Sequence, residues 1–75
     1  MITLYTGTGC HLCDQARQIL DAVVGPEAYT VVNISGDETL LTEYGIRIPV
    51  VKNARGEEKG WPFSAGQIKR LVAGD

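Results

Sequence analysis

The chain has 75 residues, 44% of them hydrophobic, which suits one small globular domain over residues 1–75. Seven basic and nine acidic residues leave a net charge of −2 and are scattered, so no basic stripe offers a footprint for nucleic acid. The opening Met1-Ile2-Thr3-Leu4-Tyr5-Thr6 lacks the pattern of a signal peptide, and no apolar run approaches the ~20 residues that span a bilayer. The expectation is a cytoplasmic monomer with neither nucleic acid nor membrane as partner.

Ile2 to Thr6 alternates and is rich in β-branched and aromatic residues, which predicts a strand. Gly7-Thr8-Gly9 reads as a flexible loop. From His11 to Val24, Leu12, Ala16, Ile19, Leu20 and Val23 fall on one helical face, and Gly25-Pro26 ends the helix. Tyr29 to Ile34 is a second strand, apolar enough to be buried on both faces. Two strands joined by a helix imply a parallel βαβ unit. Ser35-Gly36-Asp37 supplies turn and cap residues for a short helix, Glu38 to Tyr44, that stops at Gly45. Ile48 to Lys52 and Glu58 to Trp61 flank the polar turn Asn53-Ala54-Arg55-Gly56 and read as an antiparallel hairpin. Ser64 and Gln67 have capping-box spacing and open a last helix through Ile68, Leu71 and Val72. The predicted order is β-α-β-α-β-β-α.

The chain has two cysteines, Cys10 and Cys13, separated by two residues. Cross-linking so short a loop restrains the unfolded chain by only about 2 kcal/mol, against nearly 5 for a hundred-residue loop, so a structural staple would be badly placed. Reactivity or metal binding explains the pair better, and a reducing compartment points the same way. Cys10-His11-Leu12-Cys13 sits where a strand's loop enters a helix. Residues three apart are neighbours on a helix surface, so the two sulfurs can bond to each other. Free N–H groups and the positive end of the helix dipole favour a thiolate there, most strongly on Cys10. A thiol of pKa ~8.5 is about 3% ionised at pH 7, whereas one lowered to ~6 is about 90% ionised. Cys10 is therefore read as the attacking nucleophile and Cys13 as the resolving thiol.

Leu4-Tyr5-Thr6, Cys10-His11-Leu12-Cys13, Tyr44-Gly45-Ile46 and Ile48-Pro49-Val50 occur in that order across the chain. In these pieces the sequence resembles the glutaredoxin branch of the thioredoxin superfamily, and in particular short bacterial glutaredoxin-like proteins with a Cys-His-Leu-Cys motif. The resemblance implies an α/β thioredoxin fold, a four-stranded mixed sheet of order 2-1-3-4, helices on both faces, and dithiol–disulfide chemistry. It implies a cis Pro49 facing the cysteine pair. Ile48 would then offer its backbone N–H and C=O to an extended substrate. The sequence departs from the family at His11 and Leu12, where Pro and an aromatic residue are usual. Gly7-Thr8-Gly9 carries no cation before the first cysteine, and Arg47 precedes Ile48. The glutathione-gripping residues of the family are not recognisable in Gly60-Trp61-Pro62-Phe63-Ser64.

Several residues are weighed around this centre. His11, the single histidine, would favour the Cys10 thiolate as an imidazolium. Leu12 provides an apolar lip if it points outward, or tops the buried stripe if it does not. Arg47 can meet a substrate carboxylate, and Arg17 reads as a solvated residue. Trp61 and Phe63 read as a core plug under the last helix. The resulting expectation is a thiol–disulfide oxidoreductase acting on a protein or glutathione disulfide. No bound cofactor or metal is required, and glutathione is a candidate reductant. Two rivals use the same residues. Two chains could pool four sulfurs around zinc or an iron–sulfur cluster, or the domain could be a non-catalytic interaction module.

Overall fold

The computed structural model describes residues 2–74. Its elements are β1 (Ile2–Thr6), α1 (His11–Val23), β2 (Tyr29–Asn33), a 3₁₀ turn (Ile34–Gly36), α2 (Glu38–Tyr44), β3 (Val50–Lys52), β4 (Glu58–Gly60) and α3 (Ala65–Ala73). The sheet order is β2-β1-β3-β4. β1 runs parallel to β2 and antiparallel to β3, and β3 and β4 form an antiparallel hairpin. This is the mixed four-stranded α/β arrangement expected for a thioredoxin fold.

Alternation along the strands sorts the core onto two faces of the sheet. Leu4 pairs with Val51, and both pack with Ile2, Ala16, Leu20, Phe63 and Ile68, joining β1 and β3 to α1 and α3. Tyr5 pairs with Val50 on the other face, where Ile34, Leu40, Tyr44 and Ile48 complete a second cluster with α2. Helices therefore cover both faces, and β1 lies at the centre of the sheet.

Local signals explain the helix ends. Gly25 takes φ +91°, and its N–H reaches the Leu20 and Asp21 carbonyls as α1 closes. The Asp37 carboxylate accepts the Leu40 N–H at the start of α2. Ser64 and Gln67 form the complete capping box of α3. Trp61 and Phe63 meet edge to face at 5.0 Å and fill the core beside Ile68, as the plug reading predicts.

Three sequence expectations change. The buried face of α1 is Cys13, Ala16 and Leu20, and Leu12 is 42% exposed. β2 is not buried on both faces: Thr30, Val31 and Asn33 are exposed. Its apolar residues cannot be enclosed because β2 is an edge strand, and the buried Ile34 has already left it for the 3₁₀ turn. The hairpin strands are also shorter than predicted, β3 beginning at Val50 and β4 ending at Gly60. Pro49 has no N–H for the ladder and follows a cis peptide bond, yet its carbonyl still accepts the Trp61 N–H at 3.0 Å.

Asn53 locks the hairpin to the last helix. Its side-chain oxygen accepts the Arg55 and Glu57 N–H groups, each at 3.0 Å. Its side-chain nitrogen donates to the Leu71 carbonyl at 3.0 Å and to Glu57. Tyr44 performs a similar service on the opposite face. Its ring stacks on Tyr5 at 4.4 Å, its hydroxyl donates to the Glu58 carboxylate, and Arg47 lies 5.4 Å above its ring. The bond to Glu58, with burial, holds the Tyr44 phenol far above the ordinary tyrosine range.

Asn53→Ala strands several buried polar groups and should cost about 2–3 kcal/mol of unfolding free energy. The denaturant midpoint should fall with the slope unchanged. The raised Tyr44 pKa has a defined sign. Above about pH 10 the unfolded chain loses its tyrosine proton while the native state keeps it, so stability falls as pH rises. Tyr44→Phe should flatten that alkaline decline, as read from denaturant unfolding across about pH 9 to 11.

Candidate active site

β1 ends at Thr6, and Gly7-Thr8-Gly9 carries the chain to Cys10, the N-cap of α1. Cys10 has φ −87° and ψ 104°, an extended conformation just before helical geometry begins at His11. This turns its sulfur back over the helix end, where it accepts the Cys13 N–H at 3.2 Å. Caps usually do this with a Ser, Thr, Asp or Asn oxygen. Here the acceptor is a sulfur at the positive end of the helix dipole.

Cys10 and Cys13 form a disulfide, with Cα atoms 5.2 Å apart. The two residues differ in access. Cys13 is 3% exposed and belongs to the buried face of α1, whereas Cys10 is half-buried at the rim. An incoming thiolate or disulfide therefore meets Cys10 first. His11 and Leu12, between the cysteines, are both exposed.

A cleft of ≈ 310 Å³ opens beside the pair. Thr6, Gly7 and Gly9 line it from β1 and the loop, and His11, Asp14 and Arg17 line it from α1, together with both cysteines. Arg17 is exposed, as the solvated reading has it, and lines this cleft one helical turn after Cys13.

The residues around Pro49 are placed differently. The Ile48–Pro49 peptide is cis, as the resemblance implies. Tyr5 pairs with Val50, so continuing that register sets Pro49 beside Thr6 and Ile48 beside Gly7. A Cβ on Gly7 would lie 2.6 Å from Ile48 Cδ1, so the tip of the Ile48 side chain closes over Gly7 where the two segments approach. Pro49 is fully buried, and neither it nor Ile48 lines the cleft.

Two expectations need correction here. The Ile48 N–H is not free for a substrate, because it donates to the Tyr44 carbonyl at 3.1 Å, satisfying the end of α2. Arg47 does not stand at the cleft; it bonds Glu58 at 3.3 Å and lies over Tyr44. The neighbouring Ile46 is fully exposed.

Sequence reasoning also missed the supports of the loop. The Thr8 N–H donates to Ser35 Oγ at 3.1 Å, and the Asn33 side-chain nitrogen donates to Thr8 Oγ1 at 3.3 Å. Asn33 Oδ1 accepts the Ser35 N–H at 2.9 Å. The Asn33-Ile34-Ser35 spacing is a local turn signal, but nothing in the sequence ties it to Thr8. Among the described residues, no group of three or more His, Cys, Asp or Glu side chains could hold a metal ion. No helix among them is long and apolar enough to cross a membrane.

Comparison with known proteins agrees with this geometry. No curated protein matches the chain. The X-ray structure of Northeast Structural Genomics target protein XcR50 from X. campestris is similar, with 37% identity, a TM-score of 0.87, and coverage of 100% of this chain and 99% of that one. The solution structure of XcR50 matches with 38% identity and a TM-score of 0.84, covering 99% of this chain and 94% of that one. The family model described as Glutaredoxin-like domain (DUF836) matches residues 1–73, nearly the whole chain. With the fold, the Cys10–Cys13 disulfide and this match in agreement, the chain belongs to the glutaredoxin-like domain family.

Proposed function

We propose that the protein is a thiol–disulfide oxidoreductase whose working couple is the Cys10–Cys13 dithiol and disulfide. The observation that carries this reading is the bonded pair itself, at a helix start, with one sulfur accessible and the other buried. Membership of the glutaredoxin-like family supports thiol–disulfide redox chemistry as the broad class.

In the reduced protein the Cys10 thiolate attacks one sulfur of a substrate disulfide. A bond forms between Cys10 and that sulfur, and the other substrate sulfur leaves as a thiolate. The Cys13 thiol then gives up its proton and attacks Cys10 Sγ. The Cys10–Cys13 bond forms and the second substrate thiolate is released, taking up a proton. Two electrons pass to the substrate, and the protein is left oxidised. Two external thiols return it to the dithiol by the same steps in reverse, with glutathione as the candidate reductant.

Geometry supports the division of labour. The Cys13 N–H and the helix dipole stabilise negative charge on Cys10 without any added cation. Cys13 needs no contact with solvent to act, because its partner sulfur is already within bonding reach. A protein or glutathione disulfide would approach from the exposed side, over the cleft beside Cys10 and past the apolar side chain of Leu12. Of the expected substrate contacts, the exposed Leu12 is retained in this proposal, and His11, Asp14 and Arg17 are the titratable side chains that line the cleft.

Cys10→Ser should abolish exchange, with at least a hundredfold loss on the order expected for removal of a nucleophile. Cys13→Ser should instead accumulate mixed disulfides on Cys10, visible as added mass that a reducing agent removes. A redox titration against dithiothreitol that leaves the native pair unable to cycle would refute the reading.

A further inference from the structure

The link between β1 and α1 has little stiffness of its own. Two of its three residues are glycines, and Gly9 stands at φ +73° with nothing within 4 Å of where a Cβ would lie. Such a link leaves the approach of the chain to Cys10 undefined unless something else holds it. Thr8 is the non-glycine residue between Thr6 and Cys10, and its N–H and its hydroxyl oxygen are both bonded by one distant corner of the fold. Its N–H goes to Ser35 Oγ at 3.1 Å, and its hydroxyl oxygen accepts Asn33 Nδ2 at 3.3 Å. Asn33 and Ser35 are bonded to each other at 2.9 Å, so they hold Thr8 as a unit. That unit is anchored in turn. Asn33 is paired with Thr6 in the β1–β2 ladder, and Ile34 between the two is buried.

We propose that Asn33 and Ser35 are positioning residues for Cys10. They peg Thr8, and through Thr8 they set the path of Gly9 and Cys10, so that the Cys10 sulfur rests on the Cys13 N–H. The inference deepens the thiol–disulfide reading and rests on it. Neither residue is assigned a contact with the reacting sulfurs; they act through two hydrogen bonds to a residue two places before the nucleophile. With the peg removed, the glycines on either side of Thr8 let the loop explore other paths. The sulfur then spends less time over the helix end, and the thiolate loses part of its stabilisation. A less stable thiolate also makes the disulfide harder to reduce.

The test compares Ser35→Ala, Thr8→Val and their double variant with the conservative Ser35→Thr and Thr8→Ser. None of these changes a charge, so His11, Asp14 and Arg17 around the cleft contribute equally throughout. Thiolate absorbance is titrated in a Cys13→Ser background, where Cys10 is the only thiol. The double variant should raise the Cys10 pKa by about one unit, roughly tenfold less thiolate at a given pH below it. With both cysteines present, its disulfide should be about tenfold harder to reduce by dithiothreitol. The hydroxyl-retaining variants should stay near the native values.

Melting temperature is recorded in parallel. A lowered melting temperature with Cys10 pKa and reduction equilibrium unmoved overturns the positioning role and leaves the redox reading intact. A native Cys10 with an ordinary thiol pKa, together with a pair that does not cycle, overturns both.

Discussion

The proposed chemistry of this fold depends on a single hydrogen bond, the Cys13 N–H donated to the Cys10 sulfur. A helix start leaves several N–H groups without partners, and a neutral thiol is a poor acceptor for them. A thiolate is a better one. The demand of the backbone and the ionisation of the sulfur therefore favour each other, with no added cation required. Every other element can be read as keeping this junction in place. β1 is one of the two interior strands, bonded on both sides, and it delivers the loop. α1 is held from below by Ala16 and Leu20 in the larger core cluster.

The two faces of the sheet divide the work. The α1–α3 side holds most of the buried aliphatic residues and carries the cysteines at its upper edge. The α2 side is smaller and more polar, with stacked Tyr5 and Tyr44, Glu58 and Arg47 joining α2 to β4. That second side supports the segment leading to Pro49. Arg47 and Ile48 both donate their N–H groups to the Tyr44 carbonyl, and Ile48 reaches across to Gly7. The Ile48 side chain thus brings the segment before the cis proline close to the start of the cysteine loop.

Much of this was legible in the sequence because it depends on local pattern. Hydrophobic period, Gly25, Asp37 and the Ser64–Gln67 pair marked the helices, and Cys10-His11-Leu12-Cys13 fell at a strand-to-helix junction. What could not be read depends on neighbours far along the chain. Apolarity alone made β2 look enclosed, although an edge strand with the same residues leaves Val31 39% exposed. Arg47 was open to a substrate carboxylate on the sequence alone, and its placement is decided by a carboxylate on β4, eleven residues along the chain. The bonds from Thr8 to Asn33 and Ser35 span 25 and 27 residues and leave no periodic trace.

The unequal burial of the two cysteines has a consequence for oxidative damage. In the proposed dithiol form, peroxide and other small oxidants would meet the rim sulfur of Cys10 first and convert its thiolate to a sulfenic acid. A second sulfur one turn along, sheltered in the core, is at hand to condense with it before further oxygen is added. Water leaves and the pair returns to its disulfide, a form that ordinary thiols can reverse. In the proposed couple, the same unequal burial would therefore keep the exposed sulfur from the irreversible rungs of sulfur oxidation.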